Sequence, residues 1–167
     1  MSAKSCGAPP QAGSRVEVLI VNPYVDDHSS LRDIFRHSHW KVYQAFNCRE
    51  ALVLLHEYRI PVIICEQNLP DGNWKTLLQE VEAMPTRPRL IVSSRLATDQ
   101  LWGEVLNHGG YDVLPTPFDT REVFRVSFLA WHSSRNEVQR IAAAHKPAQS
   151  AGRADVSAVS KAAGTAD

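Results

Sequence analysis

Val62-Ile63-Ile64-Cys65 has no polar side chain at either parity. Successive residues of a strand point to opposite faces, so a strand that is apolar at every position must be covered on both sides. Cover on both faces is characteristic of parallel sheets, whose crossover helices lie above and below. The rest of the central chain supplies the parts such a sheet needs. Val16-Glu17-Val18-Leu19-Ile20-Val21 and Leu90-Ile91-Val92 are further short aliphatic runs, Trp40-Lys41-Val42-Tyr43-Gln44-Ala45 alternates, and Tyr111-Asp112-Val113-Leu114 is a fifth candidate strand. Helical patterns separate them. Leu31, Ile34 and Phe35 follow the helix-start residues Asp26 and Asp27, and Ala51, Leu54 and Leu55 follow a capping box from Asn47 to Glu50. Trp74, Leu77, Leu78 and Val81 make a third stripe; Leu101, Trp102, Val105 and Leu106 make a fourth, closed by Gly109-Gly110. A second capping box, Asp119 to Glu122, leads into Val123, Val126, Phe128, Leu129 and Trp131. The pattern is (βα)5. It predicts an α/β, flavodoxin-like doubly wound fold, with a five-stranded parallel sheet in the order 2-1-3-4-5.

The ends of the chain differ from this middle. Residues 1–14 have no period and are expected to be a disordered arm, with the folded domain at 15–132. Residues 133–167 hold ten alanines and no aromatic residue, and are expected to start as a helix and then become disordered. Residues 15–132 carry 12 Lys/Arg and 15 Asp/Glu and the two ends 6 and 3, so a net charge of zero divides into −3 and +3. Neither value is the electrostatic footprint of a nucleic-acid binder. No run approaches the ~18–20 apolar residues of a membrane span, and the first fifteen residues lack the apolar stretch of a secretion signal, so the expectation is a cytoplasmic protein. Cys6, Cys48 and Cys65 have no C-x-x-C spacing, which leaves Cys48 and Cys65 as small core or surface thiols. The seven histidines show no H-E-x-x-H pair, and neither a Rossmann glycine fingerprint nor a P-loop is present.

In an open α/β sheet the functional crevice lies at the carboxyl ends of the strands. The residues there are Asn22-Pro23, Glu66, Ser93-Ser94 and Thr116-Pro117. Three neighbouring segments, VIICEQNLPDG (62–72), LIVSSR (90–95) and GGYDVLPTPFD (109–119), resemble, in order and spacing, the receiver domain of bacterial two-component response regulators. The resemblance runs from about Val16 to Trp131. It implies a phosphate-accepting position at Glu66, an acidic metal-binding pair at Asn22 and Pro23, a switch hydroxyl at Ser93, a phosphate-pairing lysine at Thr116 and an aromatic switch position at Val113. Of the five reaction residues the family uses, only the hydroxyl survives. Mg²⁺ relies on carboxylates in near-octahedral geometry, which Asn22 and Pro23 do not offer. A glutamate also places its oxygens about 1.5 Å further from Cα than an aspartate does.

The expectations that follow are specific. The chain is read as a stand-alone, degenerate receiver that signals by protein–protein contact without aspartyl phosphorylation. It has no catalytic residues, metal or cofactor. The alternative is a conventional phosphorelay receiver that takes phosphate on an atypical acidic residue. Glu66 is either a built-in phosphate mimic or a relic, with the Ser93 and Thr116 hydroxyls as candidate donors to it. Asp71, Asp26 and Asp27 are alternative phosphate acceptors or metal ligands, but the favoured reading gives Asp71 to its Pro-Asp-Gly turn and Asp26 and Asp27 to the helix dipole. The tryptophans are assigned to the core except Trp74, expected as an exposed contact after the third strand. Partners are proteins, a sensor kinase or a downstream regulator, with neither nucleic acid nor membrane. The resemblance implies self-association through the fourth helix, fifth strand and fifth helix, and the fifth helix is expected to be able to continue into Glu137–Ala144.

Overall fold

A computed structural model describes residues 15–145. Five strands, β1 (Val16–Val21), β2 (Trp40–Ala45), β3 (Val62–Glu66), β4 (Arg89–Ser94) and β5 (Asp112–Pro115), form one parallel sheet in the order β2-β1-β3-β4-β5. Five helices connect and follow them: α1 (Val25–Phe35), α2 (Cys48–Glu57), α3 (Trp74–Glu82), α4 (Asp99–Asn107) and α5 (Thr120–Ala144). A small antiparallel hairpin, Asn68–Leu69 with Gly72–Asn73, bridges β3 and α3. This is the doubly wound architecture and strand order that the sequence pattern predicts.

Strand parity divides the core into two layers. Leu19, Val21, Ile63, Cys65, Leu90 and Val92 pack with Ala51 and Leu55 of α2, Leu77 and Val81 of α3, and Leu101 and Val105 of α4. Val18, Ile20, Val62, Ile64, Ile91 and Leu114 pack with Leu31 and Phe35 of α1 and Val123, Val126 and Ala130 of α5. Both cysteines of the described region are buried free thiols, and burial pushes the Cys48 thiol up to about 11.

The helix starts combine local and distant groups. Asn47 accepts from the Glu50 N–H, and the Glu50 carboxylate returns to the Phe46 N–H at 2.8 Å, so the expected capping box forms one residue wide of its ideal partner. Asp119 caps α5 through the Glu122 N–H, and Asn73 and Thr98 cap α3 and α4. Asp71 is more than a turn residue: its carboxylate accepts the Cys48 and Arg49 N–H groups at 2.8 and 3.0 Å, a second cap on α2 from 22 residues away. Burial opposes the charge on that carboxylate, but these N–H donors outweigh it and hold Asp71 below its usual range. After α4, Gly109 takes φ 95°, and a Cβ on Gly110 would meet Val105 Cγ1 at 2.5 Å. Both positions need the missing side chain for the tight return into β5.

Two sequence expectations are corrected. Trp74 is 2% exposed, buried at the first turn of α3 with its ring edge-on to His108. Trp102, assigned to the core, is 50% exposed, and Leu106 is exposed beside it. The buried stripe of α4 is Leu101 and Val105, four residues apart; Trp102 and Leu106 lie one residue further round the helix and face solvent. The fifth helix continues well past residue 132. Its 25 residues extend about 37 Å at 1.5 Å per residue, roughly twice the span of a six-residue strand. The arm at 1–14 and the tail beyond 145 lie outside the described residues. No described helix is long and apolar enough to cross a membrane.

Candidate functional site

The sheet register aligns the crevice. Glu66 is paired with Ser93 across β3 and β4, and Ser94 with Pro115 across β4 and β5, while Asn22 follows β1 directly. Asn22, Glu66, Ser93 and Ser94 are all buried. Ser93 Oγ donates to Glu66 Oε2 at 2.9 Å. The expected second donor is absent: Thr116 Oγ1 is buried without a hydrogen-bond partner among the described residues. Thr116 is held instead by its backbone, whose N–H donates to the Ser94 carbonyl at 3.0 Å. Ser94 Oγ donates to Gln67 Oε1 at 2.8 Å and accepts the Leu96 N–H at 3.0 Å, which shapes the turn leaving β4. Val113, at the expected aromatic switch position, is a buried aliphatic residue.

Asn22 works at the start of α1. Its Oδ1 accepts the Tyr24 N–H at 2.8 Å, an Asx-type turn that opens the helix, and its Nδ2 donates to Asp27 Oδ2 at 3.1 Å. The backbone carbonyl of Asn22 accepts from His28 Nε2 at 2.7 Å, which leaves the proton on Nε2 and a buried Nδ1 with no hydrogen-bond partner among the described residues. His28 also lies against Phe46, with ring centroids 4.6 Å apart. Burial pulls the His28 imidazole below its ordinary value, against the opposing pull of the Asn22 hydrogen bond. Pro23 contributes neither an N–H nor a side-chain ligand.

Asp27, assigned from the sequence to the helix start, enters the site together with Arg95. Asp27 is buried, and Arg95 Nη2 donates to its Oδ2 at 3.3 Å while the guanidinium lies 4.3 Å from the Tyr24 ring centre. The helix-dipole reading of Asp27 is therefore incomplete. The sequence did contain a signal: Asp27 stands four residues before Leu31 and eight before Phe35, on the apolar stripe, whereas Asp26 is exposed. Nothing local marks Arg95, which is 68 residues from Asp27. The crevice thus holds two carboxylates and one guanidinium. Burial pushes the Glu66 carboxyl above its usual value; the Ser93 hydrogen bond opposes this, the nearby Asp27 adds to it and Arg95 opposes it.

The resemblance implies a divalent cation here, and the residues do not fit one. Both polar atoms of the Asn22 side chain are committed, one Asp27 oxygen already carries a guanidinium, and Pro23 has nothing to offer. A dication beside Arg95 would meet a like charge. Among the described residues, no group of three or more His, Cys, Asp or Glu side chains is placed to hold a metal ion.

A family model for the response regulator receiver domain matches residues 18–126. The aerobic respiration control protein ArcA of Escherichia coli strain K12 is 28% identical over 107 residues, which cover 64% of this chain and 44% of that protein. The chain therefore matches less than half the length of that relative. Among solved structures, the signal receiver domain of an HD domain-containing protein from Pseudomonas fluorescens superposes with a TM-score of 0.71 at 22% identity, covering 79% of this chain and 98% of that one. A CheY-like receiver domain protein from Methanospirillum hungatei gives 0.66 at 19% identity, covering 74% and 99%. At these identities the structural likenesses establish the fold.

Proposed function

The chain belongs to the response regulator receiver domain family, and from that membership we propose that it signals through protein–protein contact without forming an acyl phosphate at Glu66. It is a receiver-domain signalling protein of the two-component type. The observation that carries the proposal is the Asp27–Arg95 pair at 3.3 Å. Phosphoryl transfer depends on cations that neutralise charge on the transferring group. Here the cation of the crevice is bound to a carboxylate of the same chain, the lysine-equivalent position is Thr116, and the acidic-pair positions are Asn22 and Pro23. Glu66 is engaged by Ser93 and resists ionisation in its buried setting. Ser93, the switch-hydroxyl position, is therefore occupied without any phosphoryl group.

Incubation of the full chain with acetyl phosphate and Mg²⁺ should leave the intact mass unchanged. An acid-labile increment of about 80 Da, one phosphoryl group, would overturn the reading and establish phosphorelay through an atypical acidic residue. The partner is proposed to be a protein, a sensor kinase or a downstream regulator. The surface that supports this is α4–β5–α5: Trp102 and Leu106 are exposed on α4, and the Trp102 indole N–H donates to Asp112 of β5 at 2.8 Å, which fixes the ring on the surface. Exposed aromatic anchors of this kind are typical binding hot spots. The same face is the proposed route to a homodimer. Trp102→Ala should lower the mass measured by light scattering, or weaken partner capture, while leaving the fold intact.

A further inference from the structure

At the opposite end of the sheet, α5 overshoots the strands and carries Glu137 on its projecting turns. Three guanidinium groups converge on that carboxylate: Arg87 at 3.6 Å, Arg89 at 4.0 Å and Arg140 at 3.5 Å. One carboxylate balances one of them, so two positive charges are in surplus. None of these contacts is short, and Arg89 Nε is buried with no hydrogen-bond partner among the described residues. A buried N–H in that state is destabilising until an acceptor reaches it. Arg87 adds a second oddity. Its φ is 40°, in the left-handed region that non-glycine residues seldom enter, and it precedes Pro88, which restricts it further. Strain held in this way is concentrated at functional positions.

Beside the cluster lies a groove of about 350 Å³, lined by Arg89, Leu129, His132, Ser133, Asn136, Glu137 and Arg140. Apart from Glu137, each polar side chain in the lining has an N–H or O–H to donate. The volume falls at the small end of the range for ligand sites. Excess donors, surplus positive charge and planar guanidinium forks are the chemistry that holds a phosphate group. We propose that this groove binds a phosphate group, free or carried on a small molecule, with Arg89 and Arg140 as its principal donors and Glu137 as the resident acid it competes with. The site is separate from the crevice, and its test does not depend on how the crevice is read.

The experiment is a calorimetric titration of the full chain with inorganic phosphate, AMP and adenosine at constant ionic strength. Saturable binding of phosphate and AMP, and none of adenosine, is expected. Equal affinities assign the free anion, and tighter AMP assigns a phosphate monoester. Arg140 is the safest position to change, since its side chain is 82% exposed. Arg140→Glu should weaken binding by at least about tenfold, the loss of a charge-assisted contact plus a new repulsion. Glu137→Gln should tighten binding several-fold by removing the competitor. If Glu137 serves only to anchor the helix, Glu137→Gln lowers stability without tightening anything, and the proposal fails. It fails equally if neither parent nor Glu137→Gln gives a saturable signal, or if Arg140→Glu binds as the parent does.

Discussion

Strand β4 connects two charge clusters built on opposite plans. At its carboxyl end, two carboxyl groups, Asp27 and Glu66, are buried; Asp27 pairs with Arg95 and is further fixed by Asn22, and Glu66 accepts from Ser93. At its amino end, three arginines share one carboxylate, Glu137, on the open side of α5. The difference in depth matters as much as the difference in sign. A buried carboxylate that loses its partners, or leaves them stranded, imposes the full desolvation penalty. An ion pair in solvent is screened and contributes little. The crevice should therefore be a rigid feature of the fold, and the groove should be soft, salt-sensitive and open to exchange of one anion for another.

The sharpest break in that comparison is Asp27→Ala. It strands the Asn22 amide and frees Arg95, and should cost about 2–3 kcal/mol, read as a lower urea midpoint with an unchanged m-value. A cost under about 0.5 kcal/mol, the size of an exposed ion pair, would show that the crevice is as soft as the groove.

Glu66→Gln should act in the opposite direction and less strongly. Burial raises the Glu66 carboxyl, so the native state keeps this proton to higher pH than the unfolded chain does. Its contribution to stability is full below the unfolded value, about 4.3, and is lost as pH rises through the raised one. The glutamine retains an acceptor for Ser93 and removes the titration. The variant should thus melt higher than the parent at pH 7, and the two should converge towards pH 4. His28 has the reverse sign: its lowered value gives stability that is present above about pH 6.5 and lost as pH falls through the native value. A His28→Asn variant should flatten the acid limb of the melting profile below about pH 6.5.

Effects at the groove should be smaller still. Glu137→Gln should cost at most about 1 kcal/mol at low salt, since its three partners are partly exposed, and less at high salt. Arg140→Ala should fall within about 0.5 kcal/mol in either condition. Urea titrations at two salt concentrations check both. A loss that salt does not touch would mean that Glu137 is a buried anchor of α5 and would remove the contrast between the two ends.

Several site residues are legible in the sequence because their positions follow from strand ends. Asn22 follows the first apolar run, Glu66 the third and Ser93 the fourth, and Thr116 lies just beyond the fifth strand. Their pairings are legible only in part. Ser93 meets Glu66, as strand neighbours in register must. Thr116 does not, because its backbone is bonded to Ser94 and its hydroxyl lies elsewhere. Trp102 escapes the core for a related reason. A stripe of Leu101, Trp102, Val105 and Leu106 is wide enough to bury either edge, and hydrophobicity alone does not choose which.

What the sequence determined by itself is local. Apolar runs, their parity, helix stripes and capping boxes fixed five strands, five helices and their order, because each signal lies within a few residues of the backbone it directs. It also determined which residue types stand at the ends of β1, β3 and β5. Tertiary structure alone decided which distant charges meet: Asp27 with Arg95, Asp71 with the start of α2, and Arg87 and Arg89 with Glu137. Those contacts join segments between 22 and 68 residues apart, and they depend on helix rotation and loop path, which are set by how the two core layers close on the sheet and not by the residues of either partner segment.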